Sequence, residues 1–212
     1  MSLEEQLRAK AQESGQKMPP EKAKTMNDAI DALKAEKILA KVPKVGDMFP
    51  DFNLLDAKGK ALGRKEVLTA RRTIVTFYRG GWCPYCSLQL RAFQDELPKI
   101  LSKKGRLLAI SPELPDQSLS TQEKNQLEFT VLSDKGQELA RKLGLVYKLP
   151  PALQELYKSF KIDLPQLNGD GAWELPLAAT FVLDESGKII YVFANEDYKL
   201  RAPMTDVLKA LN

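Results

Sequence analysis

Six β-branched or aromatic residues, Thr73-Ile74-Val75-Thr76-Phe77-Tyr78, are cut off by Arg79-Gly80-Gly81, and Pro84 then opens a helical pattern carried by Leu88, Leu90, Phe93, Leu97 and Ile100. A strand apolar on both sides has to be covered on both faces, and a helix that follows it at once is one of the covers. This junction commits the chain to a sheet packed between helices. The only two cysteines, Cys83 and Cys86, fall in the junction itself.

The rest of the chain reads consistently. Phe49-Pro50-Asp51-Phe52-Asn53-Leu54-Leu55 alternates and turns at Asp56–Lys60, as a hairpin does. Leu107–Ile110 and Phe129–Leu132 are further buried strands, with a polar helical stretch over 116–127 between them. Ser133-Asp134 is placed to cap a helix running through Leu143 to the stop at Gly144. Residues 145–172 read as an irregular insertion with one helix near Ala152–Phe160. Thr180–Asp184 and Lys188–Phe193 form a second hairpin, and a helix over 203–211 closes the chain. Trp173 reads as a packing residue of the insertion, and Tyr85 either packs or gates access. The expected architecture is α/β, a central mixed sheet with helices on both faces.

Ahead of this lies a helical arm, 1–44. Leu3, Leu7 and Ala11 share one helical face. After the break at Met18-Pro19-Pro20, Met26, Ile30 and Leu33 share another. The arm is expected to pack on the main domain, 45–212, or on a second subunit in a homodimer.

Composition removes several functions. The chain has 212 residues and no histidine, which excludes hydrolases of the Ser-His and Cys-His kinds and any imidazole metal ligand. Two cysteines fall short of the about four ligands of a structural zinc site. No metal or cofactor is expected. Lys and Arg (32) are interspersed with Asp and Glu (28), which gives no basic face for nucleic acid. No apolar run approaches a membrane span, and the polar start Met1–Gln6 is unlike a signal peptide. A cytoplasmic, reducing compartment is expected, where a Cys-x-x-Cys pair is redox-active.

The position of the pair gives it chemistry. Cys83 lies at the helix start, where free N–H groups and the positive dipole end favour a thiolate. Arg79 adds a nearby cation. Cys86, one turn on, can close a reversible disulfide with it. Cys83 is therefore expected to attack and Cys86 to resolve.

Trp82-Cys83-Pro84-Tyr85-Cys86 resembles the active-site run of the thioredoxin and glutaredoxin superfamily. The remainder is similar to its peroxiredoxin branch, the alkyl hydroperoxide reductase/thiol-specific antioxidant family. The likeness is carried by Val45–Leu54, Leu108-Ala109-Ile110-Ser111-Pro112, Phe129–Asp134 with Leu143-Gly144-Leu145, and Ala179–Asp184 with Gly187-Lys188. It implies a thioredoxin-like fold over about 42–212, peroxide reduction, an external dithiol reductant of thioredoxin or glutathione type, and Arg79, Gly80, Gly81, Trp82, Pro84 and Tyr85 around the substrate. The chain departs from the family's Pro-x-x-x-Thr-x-x-Cys. Counted back from Cys83, Gly80 replaces the threonine and Thr76 the proline, and the segment is about three residues short. The family arginine falls at Ala178, and the superfamily's cis-proline position at Ala179. Three functions fit: a thiol peroxidase, a thiol–disulfide oxidoreductase acting on protein or small thiols, and a redox-sensing binding protein whose disulfide acts on the arm.

Overall fold

Alternation along the middle strands sorts their side chains into two cores. In β3 (Arg72–Phe77), Ile74 enters one core, and Val75 and Phe77 enter the other. In β4 (Gly105–Ser111), Leu107 and Ala109 oppose Leu108 and Ile110 in the same way. Ile74, Val75, Leu108 and Ile110 are fully buried, each contributing roughly 1.5–3 kcal/mol. The computed structural model describes residues 1–212.

The remaining strands of the main sheet are β1 (Asn53–Asp56), β2 (Ala61–Gly63), β5 (Thr130–Ser133), β8 (Ala179–Asp184) and β9 (Ile189–Ala194). Their order is β2-β1-β5-β4-β3-β8-β9. β3, β4 and β5 run parallel to one another, and the hairpins at either edge are antiparallel. The expected α/β architecture, with both hairpins, is what the chain adopts.

One face is covered by α4 (Pro84–Ser102), α1 (Leu3–Lys17) and α9 (Met204–Lys209), whose Leu90, Phe93, Leu3, Leu7 and Val207 share a core with Ile74 and Leu107. The other face is covered by α6 (Glu138–Lys142), the short 3-10 turn Ile38–Lys41 and Phe49. Two short helices, α3 (Arg64–Val67) and α5 (Pro115–Lys124), link strands at the rim. No helix is long and apolar enough to cross a membrane.

The arm folds onto its own chain. Ser2 and Glu5 form a capping box at the start of α1, and Leu3 and Leu7 are buried against α4. Pro20 opens α2 (Pro20–Ala35), which packs on α7 (Pro151–Ser159) through Met26 and Ala29.

Three expectations change. The stretch 145–172 is not irregular. Val146–Lys148 (β6) pairs antiparallel with Glu174–Pro176 (β7), and α7 and α8 (Leu164–Asn168) enclose a third core holding Leu149, Leu153, Tyr157 and Leu175, with Trp173 packed against it. The helix expected directly after Ser133-Asp134 starts later, because Gly136 and Gln137 both have positive φ. Asp134 still caps it, accepting the N–H groups of Leu139 and Ala140 at 3.2 and 2.9 Å. On α4, Leu88 is only half-buried, and Gln89 occupies the interior, where its Nε2 donates to Thr180 Oγ1 at 3.3 Å.

Candidate active site

The loop between β3 and α4 leaves no room for side chains at its two glycines. Gly80 has φ +150°, and a Cβ there would lie 2.2 Å from Trp82 Nε1; at Gly81 it would lie 2.1 Å from Thr121 Oγ1. The turn then closes on itself, with Cys83 N–H donating to the Gly80 carbonyl at 3.1 Å. Cys83 is the N-cap of α4, and Pro84, at the first helical position, loses no hydrogen bond there. The Cys83 carbonyl accepts the N–H groups of Cys86 and Ser87, both at 3.1 Å. The two sulfurs thus sit one turn apart as free thiols.

Cys83 and Cys86 are 1% and 0% exposed. They differ in what they face. Cys83 lines a cavity of about 160 Å³, walled by Trp82, Tyr85, Tyr157, Phe160 and Tyr198 and closed from the arm by Met18 and Met26. Cys86 lies behind it. Arg201 Nη2 donates to Cys86 Sγ at 3.2 Å, and the backbone N–H of Arg79 does so at 3.5 Å. Arg79 Nη1 stands 4.0 Å from Cys83 Sγ.

The two guanidinium groups decide the electrostatics. Arg79 and Arg201 are 2% and 5% exposed, and neither pairs with a carboxylate. Arg79 is held among aromatic rings, its Cζ 4.6 Å from the Tyr198 centroid and 5.1 Å from that of Trp82, with a hydrogen bond to Tyr157 Oη. Arg201 donates to the carbonyls of Tyr198 and Leu200. Buried cations need an anion close by, and the cysteine pair is the group within reach that can supply one. Burial opposes ionisation of Cys86, but the Cys83 thiol hydrogen bond, Arg201 and Arg79 outweigh it and hold its pKa well below the ordinary thiol value. Burial, the hydrogen bond to Cys86 and the charge on Cys86 push Cys83 up. The closer guanidinium contact falls on Cys86, 3.2 Å against 4.0 Å at Cys83, because Arg201 reaches Cys86 from the far end of the chain.

Of the residues singled out in the sequence, Arg79, Trp82, Cys83, Pro84 and Tyr85 line the cavity. Gly80 and Gly81 do not: they lie under Trp82 and against Thr121, where their lack of a side chain shapes the loop. Tyr85 packs edge-on against Tyr198, with centroids 5.5 Å apart. Arg201, Tyr157, Tyr198 and the buried Glu113 were not foreseen. They are remote from the cysteines in sequence, and no local pattern marks them. No group of three or more acidic, Cys or His side chains is placed to hold a metal.

The chain as a whole has relatives. Chloroplastic peroxiredoxin Q of Gentiana triflora is 28% identical over 159 residues, covering 75% of this chain and 62% of its own. The chain thus spans less than two thirds of the length of that relative. Peroxiredoxin Bcp of Escherichia coli (strain K12) is 27% identical over 156 residues, covering 74% of this chain and 87% of its own. Among solved structures, peroxidoxin BcpB of Mycobacterium tuberculosis superposes with a TM-score of 0.65 at 21% identity, over 79% of this chain and 96% of that one, the same fold. With the AhpC/TSA family model matching residues 45–192, most of its length, the chain belongs to the AhpC/TSA family.

Proposed function

We propose that the protein is a thiol-dependent peroxidase in which Cys83 attacks a peroxide and Cys86 closes the disulfide. One observation carries this: two sulfurs one helical turn apart, the outer one on an apolar cavity with a guanidinium 4.0 Å from it and the inner one 3.2 Å from a second guanidinium. The proton rests on Cys83 and passes to the Cys86 thiolate as Cys83 attacks the terminal peroxide oxygen. Cys83 becomes a sulfenic acid and an alkoxide leaves, stabilised by Arg79. The alkoxide takes the proton from Cys86, which then displaces hydroxide from the sulfenic sulfur. The singly protonated pair and the peroxide thus become disulfide, alcohol and hydroxide, which one further proton converts to water. An external dithiol of thioredoxin or glutathione type restores the pair. The family membership and the peroxiredoxin relatives support the peroxide as substrate.

A second assignment, with Cys86 as the attacking sulfur, is favoured by its lowered pKa and the Arg201 contact. Counted back from Cys86, the family spacing has Cys83 at the threonine position and Arg79 at the proline position, and the three-residue shortfall vanishes. Cys86 lies behind Cys83 and away from the cavity, which favours the first assignment.

Stopped-flow mixing of reduced protein with hydrogen peroxide or cumene hydroperoxide tests the function, with Trp82 fluorescence as reporter. Oxidation is expected far faster than for free cysteine. A rate equal to that of free cysteine rules out the peroxidase, and rapid reduction of a model protein disulfide would then favour the thiol–disulfide oxidoreductase.

A further inference from the structure

Glu113 sits beneath the loop that carries Cys83 and takes no part in the steps above. It follows β4 almost directly and is 2% exposed. Both carboxylate oxygens are 3.0 Å from Gly81 N, which donates to them. Its Oε1 lies 2.9 Å from where a Gly80 Cβ would stand. Its backbone is pinned as well, the N–H donating to Ser111 Oγ at 3.3 Å and the carbonyl accepting from the Ser133 hydroxyl.

The titratable and charged groups that face this carboxyl are Cys86 from α4, Asp116 from α5 and the Tyr78 phenol beyond β3. None is a cation, and no lysine or arginine forms an ion pair with Glu113. Burial pushes the carboxyl up to about 7, the Gly81 N–H opposes this, and the charge on Cys86 adds to it.

We infer that Glu113 is the proton store of the cysteine pair, holding a proton while the reduced pair is negatively charged and giving it up as the disulfide forms. This rests on the pair cycling between dithiol and disulfide. The balance closes. When the Cys86 thiolate displaces hydroxide from the Cys83 sulfenic acid, one proton is needed for water to leave, and the Glu113 carboxylic acid supplies it. When two external thiols reduce the disulfide, they bring two electrons and two protons. One proton stays on the pair and the other returns to Glu113. The reduced state has one negative charge on the pair and none on Glu113; the oxidised state has the reverse. Glu113 contacts the loop and not the peroxide, so it acts on the proton balance of the pair without touching the reacting atoms.

The test is the redox equilibrium with glutathione, measured against pH for the full chain and for Glu113→Gln. Glutamine keeps an acceptor for Gly81 N–H but cannot store the proton. Two glutathiones carry two protons and the reduced pair keeps one. The variant should therefore favour reduction by about tenfold more per pH unit. The unaltered protein takes up the second proton just below pH 7, so its slope there should be clearly shallower. Equal slopes overturn the proposal. If the variant does not fold, a pH-indicator dye serves with the unaltered protein. Clearly less than one proton released per disulfide reduced by glutathione at a pH just below 7 supports the store; one whole proton overturns it. Lack of peroxide reactivity with the slope difference intact would overturn the peroxidase alone. Failure to form a disulfide at any pH overturns both.

Discussion

Two regions meet at the cysteine pair, and they are assembled in different ways. The floor, β3 with its loop and α4, is one continuous stretch of chain that carries both sulfurs. The roof is drawn from three distant stretches: Met18 and Met26 of the arm, Tyr157 and Phe160 at the end of α7, and the Tyr198–Arg201 segment before α9. The floor fixes where the sulfurs are. The roof, through Arg201, favours ionisation of the inner sulfur and walls the approach to the outer one. A reactive sulfur is thus located by local chain geometry, while its ionisation and selectivity are set by groups folded in from elsewhere.

The largest effect should come from the floor. Cys83→Ser is expected to abolish turnover. Cys86→Ser should permit a single turnover and trap a sulfenic acid or mixed disulfide, seen by mass spectrometry of the intact protein. The reverse pattern would transfer the attacking role to Cys86 and leave the cavity as mere access. Next comes the cation of the roof. Arg201→Met should raise the lower thiol pKa, read from thiolate absorbance against pH, and slow peroxide reduction near neutral pH by roughly tenfold or more. Arg201→Lys should recover part of the loss. An unshifted titration in Arg201→Met would place control of the charge back in the floor, with Arg79 and the helix start. The smallest effect concerns the wall. Phe160 is 38% exposed and lines the cavity. Phe160→Ala should raise KM for cumene hydroperoxide about threefold and leave that for hydrogen peroxide unchanged. Equal changes for both would show that the roof does not select.

The legible and illegible parts of the sequence divide along the same line. The hairpins, the buried strands, α4 and the closing helix could be read because each announces itself through a short-range period or a turn residue. The insertion was misread because β6 and β7 are three residues each and find each other across the whole of α7 and α8. Strands so short carry no period of their own. Gln89 was missed because its partner, Thr180, lies on a strand far along the chain.

The sequence alone determined the sheet, the family likeness, and two sulfurs at the head of a helix with Arg79 close by, since all of these are encoded within a few residues of one another. Only the tertiary structure decided that Arg201 stands 3.2 Å from Cys86, that Glu113 lies buried under Gly81 without a cation, and that the arm walls the cavity. The physical reason is that Coulomb energy and desolvation depend on distance through space and on burial. Neither quantity exists until the chain has folded.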